Sequence, residues 1–247
     1  MHFHYFPSSI IEAVDEEKII KARAQYDNET LRTHPRWYTT PSTSCRAQKE
    51  IMYHILVNNI DGDIVELGCG AGENTFYFAR AIKESEYASQ DRKVYGFDNF
   101  RGYLESDIKI SEEKFHPRVT LGLKSNMHQK RWDIDPQIVK NKFRNSSIIE
   151  IVEGDIQTTT KQFEPKSGAI SLLYIDCNAY TPAIEAINNL KKYFSKGALV
   201  FIDGGFCPPD LFLDGEKAAL LEYSQADSLP MFRTHFGNFA AFFVEVK

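Results

Sequence analysis

The sequence predicts an α/β protein built on a doubly wound, mostly parallel seven-stranded sheet that gains an antiparallel edge near its C-terminal end. Three observations predict it. Five short apolar runs, each with an acid at its end, alternate with stretches of helical periodicity, the pattern of parallel strands joined by right-handed crossovers. The first run feeds a glycine-rich turn, Asp63-Ile-Val-Glu-Leu-Gly-Cys-Gly-Ala-Gly72, with a helix directly behind it. Late in the chain two strand-like segments, Met231–Phe236 and Phe239–Val246, are joined by Gly237-Asn238, a two-residue hairpin signal.

The elements follow in order. Residues 9–26 put Ile10, Ile11, Val14, Ile19 and Ile20 on one side of an expected helix. Pro35 and Pro41 bracket an extended piece holding Trp37 and Tyr38. Ser42-Thr43-Ser44 caps a second helix with apolar positions Ile51, Met52, Ile55 and Leu56. Residues 1–60 thus read as a helical cap over the site, inside a single domain spanning 1–247. The glycine turn follows the first strand (Ile64, Val65, Leu67), and each glycine there lets the backbone bend and a flat ligand lie against it. Phe78, Ala79 and Ile82 form the buried stripe of the next helix, and Lys93–Asp98 is the second strand, ending on a solvent-facing acid.

Residues 103–146 are charged, hold His116, His128 and Trp132, and end in a short helix from about Asp135 to Arg144; an insertion this long reads as a lid over the substrate. Ser147–Asp155 and Ser171–Asp176 supply strands three and four. Thr181-Pro182 starts a helix by a capping hydroxyl and a first-turn proline, its stripe being Ala183, Ile187, Leu190 and Phe194, and Gly197 stops it. Ala198–Asp203 is strand five, and Asp214-Gly215 opens a helix with Ala218, Leu220 and Leu221 before the hairpin.

Composition narrows the function. With 43% hydrophobic and 26% charged residues the 247-residue chain is globular, and a net charge of −5 argues against nucleic acid as a partner. No apolar run approaches membrane length, and the start lacks a basic secretion-signal region, so no membrane partner is expected. Cys45, Cys69, Cys177 and Cys207 are scattered, as reduced thiols of a cytoplasmic protein are. The expected partners are a small-molecule acceptor and further copies of the chain, as a dimer or higher oligomer.

Glu66, Asp98, Asp155, Asp176 and Asp203 all fall at strand C-termini, the edge where open α/β sheets bind ligands. Like charges crowded on one edge destabilise a fold, so they point to a polar, partly cationic ligand. The turn places Gly68, Gly70 and Gly72 one residue closer than the dinucleotide spacing, and Glu73 at the helix start would repel a pyrophosphate.

Glu66-Leu-Gly-Cys-Gly-Ala-Gly72, Phe97-Asp-Asn-Phe-Arg-Gly102 and Gly154-Asp155 resemble class I S-adenosylmethionine (SAM)-dependent methyltransferases with a Rossmann-like fold. More narrowly, the chain is similar to macrocin O-methyltransferase and its relatives, which methylate sugar hydroxyls in natural-product biosynthesis. Phe97–Asp107 resembles that family's F-D-S-F-x-G-L-P-x-x-D segment, Asp135–Asn145 its helix before strand three, and Leu173–Tyr180 its L-x-x-D-x-D-x-Y segment. The resemblance implies that Glu66, Gly68 and Gly70 meet the methionine end of SAM, that Asp98, with Asn99 and Phe100, holds the ribose, and that Asp155 and Ile156 lie by the adenine. It gives Asp176 a place beside cofactor and reacting hydroxyl, as a base or as a Mg²⁺ ligand with Asp203. Two positions depart from the family: Asn178 replaces the second acid of D-x-D, and Gly204 the second acid after strand five. Mg²⁺ would then rest on Asp176, Asp203 and the Asn178 amide. His128 is a further candidate base, and Tyr180 and Trp132 are candidates to floor a substrate pocket. The expected function is methyl transfer to a hydroxyl of a small molecule, with or without Mg²⁺. A non-catalytic SAM-binding homologue and an NAD-dependent oxidoreductase are the alternatives.

Overall fold

The computed structural model describes residues 43–85, 91–104, 107, 134–202, 215–236 and 239–247. The helix expected over 9–26, the Trp37–Tyr38 segment, residues 108–133 of the expected lid and the Gly237-Asn238 turn lie outside the described residues.

Seven strands form one sheet: β1 (Asp63–Leu67), β2 (Val94–Asp98), β3 (Ile149–Glu153), β4 (Ile170–Ile175), β5 (Phe194–Ile202), β6 (Met231–Phe236) and β7 (Phe239–Glu245), in the order β3-β2-β1-β4-β5-β7-β6. The first five are parallel, and β7 runs antiparallel between β5 and β6. Strand order reverses between β1 and β4, so the connections leaving their ends diverge to opposite sides and a crevice opens there.

Among the described residues six helices cover the faces: α1 (Thr43–Val57), α2 (Glu73–Glu84), α3 (Pro136–Phe143), α4 (Ile156–Gln162), α5 (Tyr180–Leu190) and α6 (Gly215–Ala226). Alternation along each strand decides which helices it meets. Ile64, Val94, Leu172, Tyr174 and Phe201 pack with Ile51 and Ile55 of α1 and Phe78, Ala79 and Ile82 of α2. Val65, Leu67, Phe97, Leu173, Ile175 and Val200 pack with Ile156 of α4, Ala183 and Ile187 of α5 and Leu220 of α6. Each such side chain contributes roughly 1.5–3 kcal/mol on full burial, and β1 is buried at all five positions. A third, smaller core of Cys69, Phe100, Val139 and Phe143 lays α3 against the glycine turn.

Two expectations are corrected. Thr181 is not the cap of α5. The helix begins at Tyr180, its N-cap is Ala179, and the Thr181 hydroxyl is buried without a hydrogen-bond partner. A proline fits anywhere in a first turn, where the N–H is unused, so Pro182 did not fix the start to the residue before it. Phe194 and Gly197 belong to β5, not to the helix and its stop. Gly197 takes φ 82° where β5 slips in register against β4.

The opposite end of the sheet carries a separate polar knot. Asp63, fully buried, accepts from Lys93 N at 2.8 Å and Ser167 N at 3.0 Å, and Arg92 donates to the Gly62 carbonyl and the Ser171 hydroxyl, each at 3.0 Å. It ties loops together far from the crevice, which leaves the C-terminal edge as the place for chemistry.

Candidate functional site

The turn leaving β1 is left-handed at Gly68, Gly70 and Gly72, with φ of 83°, 50° and 79°. A Cβ on Gly68 would lie 2.4 Å from the Asp176 carbonyl oxygen, so the ends of β1 and β4 meet backbone to backbone. Gly72 has another cause. A Cβ there would lie 2.5 Å from the Phe143 ring, and Lys142 Nζ donates to the Ala71 carbonyl at 2.8 Å. This third glycine therefore makes room for α3.

Asp98 is bound into this turn. Its Oδ2 accepts from Gly70 N and its Oδ1 from Phe100 N, both at 2.7 Å, and Asn99 N is a third donor. Asn99 repeats the device, accepting from Arg101 N at 2.7 Å and donating to the Gly102 carbonyl at 2.8 Å. These two turns hold Phe100 at φ 58° with its ring buried against Cys69, Val139 and Phe143. The sequence expectation of a solvent-facing Asp98 is corrected: the residue is half-buried, and burial raises its carboxyl while the three N–H bonds pull it down. With about four acceptor positions on a carboxylate, roughly one remains for a ligand hydroxyl.

Glu66 is buried on the α1–α2 side of the sheet and accepts from the Thr75 hydroxyl and the Asn74 amide. Burial pushes its carboxyl up to about 7, the Asp98 charge adds to this, and the Thr75 and Asn74 bonds oppose it. Its register partner on β2 is Gly96, where a Cβ would stand 2.8 Å from Thr75 Oγ1 and 3.0 Å from Cys69 Sγ. The missing side chain makes the space in which Thr75 reaches Glu66.

Gly70, Asp98, Asn99 and Phe100 therefore form one hydrogen-bonded unit, Asp176 lies against Gly68, and Glu66 stands apart on its own bonds to Thr75 and Asn74. Asp155 and Ile156 stand one strand further out. Asp155 caps α4, accepting from Gln157 N at 3.0 Å, and Ile156 is buried beneath that helix. Beside them is Asp107, which sequence reasoning did not single out. It is 5% exposed, accepts from Leu104 N at 3.0 Å, and is raised by burial and then by the Asp155 charge. Its signal was its place as the last acid of the Phe97–Asp107 segment.

Beyond β4 the chain turns through Asn178 at φ 55°, a conformation asparagine tolerates better than most residues. Asn178 N donates to Glu216 Oε2 at 2.9 Å, and its Nδ2 turns back to the Asp176 carbonyl at 3.4 Å. Buried Glu216, at the start of α6, also escaped the sequence reading. Cys177 lies among Glu216, Asp107 and Asp176; burial, then these charges, push its thiol well up. Tyr180 donates its hydroxyl to Glu222 of α6, and burial, then that bond, push it up to about 12, so it ties α5 to α6 and is no base near neutrality.

Asp203 and His128 lie outside the described residues. Among the described residues no three His, Cys, Asp or Glu side chains are grouped to hold a metal. Of the expected metal ligands Asp176 and Asn178 are described, and the Asn178 amide nitrogen is turned to its own loop.

A mostly parallel sheet with a glycine turn at its switch point, an acid in β1 and an acid closing β2 is the arrangement of nucleotide-cofactor-binding α/β folds. Residues 65–204 match the model of a methyltransferase domain family, and the chain belongs to that family. Among solved structures the fold is similar to the O-methyltransferase NovP (19% identity, 83% of this chain and 80% of that chain, TM-score 0.63). It is similar also to the calicheamicin methyltransferase CalS11 (20%, 94% and 93%, 0.64). A third is the S-adenosylhomocysteine (SAH)-bound Podospora anserina methyltransferase PaMTH1 (12%, 92% and 88%, 0.53). No curated protein sequence matches the chain. Among the described residues no helix is long and apolar enough to cross a membrane.

Proposed function

We propose that this protein is a SAM-dependent O-methyltransferase acting in the cytoplasm on a hydroxyl of a small molecule, a sugar or natural-product intermediate of the kind macrocin O-methyltransferases take. The observation that carries the reading is the Asp98–Gly70 bond, which holds an acid against the glycine turn at the switch point, where this reading puts the cofactor ribose. NovP is named an O-methyltransferase, CalS11 is described as a TDP-rhamnose 3′-O-methyltransferase, and PaMTH1 holds SAH, which supports the same chemistry here.

SAM supplies a methyl group already activated on a sulfonium. The chain's own work is then alignment and proton removal. Asp98 uses its remaining acceptor position on the ribose, Glu66 offers negative charge to the ammonium end, and Ile156 gives an apolar wall beside Asp155 for the adenine. Asp176, held by the backbone contact with Gly68, takes the proton of the acceptor hydroxyl, with His128 the other candidate base. Residues 103–146 are read as the cover of the acceptor, α3 being the part that leans on the glycine turn. No step is routed through a metal.

The test is turnover. Purified protein is given SAM and a panel of hydroxylated acceptors, nucleotide-linked deoxysugars first, and mass spectrometry reads methylated product. Product that Asp176→Asn abolishes, with SAH affinity kept, is the expected result. SAH binding with no turnover on any acceptor would favour a non-catalytic homologue, a reading to which Asn178 and Gly204 lend weight.

A further inference from the structure

A chain of side-chain contacts runs from α1 to the buried acid of β1. Gln48, 3% exposed, donates its Nε2 to Asn74 Oδ1. An amide whose oxygen is held this way presents its NH₂ outward, and the Asn74 side chain is hydrogen-bonded to Glu66. Thr75, fully buried, donates to the same carboxylate. With the Thr75 backbone N–H three donors thus converge on Glu66, and a carboxyl offered several donors is favoured as the ionised acceptor. Gln48 lies in the cap helix, some way along the chain from the glycine turn, and the motif that frames the turn does not include it.

We propose that Gln48 is a positioning residue of the cofactor site: it fixes the Asn74 amide so that Asn74 and Thr75 both donate to Glu66, which then meets the cofactor's cationic end as a bare carboxylate. The proposal rests on the reading that Glu66 faces the ammonium end of SAM. Without Gln48 the Asn74 amide is free to turn over and set its oxygen against the acid. Gln48 thereby couples the placement of α1 to the charge of the cofactor site.

Other titratable groups surround Glu66 and act in the same space. Asp98, from the end of β2, pushes its carboxyl upward. Cys69 in the turn is itself raised by burial, Asp98 and Glu66, and is drawn down by Lys142 of α3. Tyr174, the register partner on β4, and Glu73, in the first turn of α2, complete the set. All but Lys142 are acids or neutral groups, so the Asn74 and Thr75 donors are the main local support for the charge on Glu66.

The experiment is calorimetric titration of SAH into the whole protein from about pH 6 to about pH 9, a range that brackets ionisation near 7. Gln48→Met keeps the length and bulk of the side chain without its amide. Gln48→Glu faces an acceptor to Asn74 and turns the amide over. We expect affinity to rise with pH in the wild type, and its midpoint to move up by about one pH unit in Gln48→Glu and by less in Gln48→Met. Affinity should converge on the wild-type value at the alkaline end. Carbon-13 NMR of the Glu66 carboxyl in the SAH-free protein should show the same order of midpoints, so a variant too weak to titrate still reports. Loss by one factor at every pH, or no change at all, overturns the proposal and makes Gln48 a packing residue. Glu66→Gln separates the two levels. Should it leave the wild-type pH dependence intact, the reading of Glu66 fails and the proposal with it. Should it abolish that dependence while the Gln48 variants track the wild type, the proposal alone fails.

Discussion

The Asp98 carboxylate and the Gly70 backbone N–H stand 2.7 Å apart, so the end of β2 holds the turn that leaves β1. Asp98 therefore shapes the turn, and in the proposed function it also offers an acceptor to the cofactor ribose. Asp98→Ala removes hydrogen bonds to a charged group at Gly70 and Phe100 and should weaken SAH binding by about ten- to a hundredfold, or ~1.5–3 kcal/mol. Because those bonds also brace the protein's own loops, its unfolding temperature should fall as well. Calorimetry and a thermal melt on the same sample check both, and an unchanged dissociation constant contradicts the ribose assignment.

Glu66 makes the stability of the ligand-free protein depend on pH. Its folded carboxyl is raised from 4.5 to about 7, so the folded state binds the proton more tightly than the unfolded chain. The contribution is present in full below 4.5 and is lost as pH rises to about 7, a fall on the order of 3 kcal/mol. Urea unfolding at a series of pH values should show stability decreasing across that window, and Glu66→Gln should flatten the trend. A wild-type stability that climbs over the same window, with Glu66→Gln making the climb steeper by nothing, would contradict the buried, raised acid.

Gly96→Ala tests the space between β1 and β2. The new methyl would stand 2.8 Å from Thr75 Oγ1 and push the hydroxyl away from Glu66. Overpacking of this kind costs about 1–3 kcal/mol, and SAH affinity should drop with it. A variant as stable as the wild type with the same affinity would mean that Thr75 has another place to go.

Much of the fold was legible in the sequence because two periods dominate it. Apolar runs such as Ile170–Ile175 and stripes such as Phe78, Ala79 and Ile82 are imposed by burial on one or both faces. Boundaries were less legible, as Thr181 and Phe194 show, because a first-turn proline and a left-handed glycine each suit more than one position. In the site, the acids at strand ends stood out as charges in apolar surroundings. Thr75, Gln48, Asp107 and Glu216 did not, since their roles depend on which loops the sheet brings together. Gly96 and Gly72 were hidden for the same reason: what excludes a Cβ there is a side chain remote in sequence, Thr75 in one case and Phe143 in the other.

Chelation tests the acceptor side. Asn178 takes the left-handed turn and points its amide nitrogen at the Asp176 carbonyl, and Asp176 works in the account as a base without a metal. Methyl transfer should therefore survive EDTA and gain nothing from added Mg²⁺. Loss of turnover on chelation with recovery on Mg²⁺ would assign Asp176 to a metal instead.

The central claim, that the turn from Gly68 to Gly72 is a SAM site, is tested most directly by titrating the purified protein with SAH and, separately, with NAD. The account predicts saturable binding of SAH at one site per chain and no heat from NAD, whose pyrophosphate would face Glu73 at the start of α2. Binding of NAD with none of SAH would contradict it.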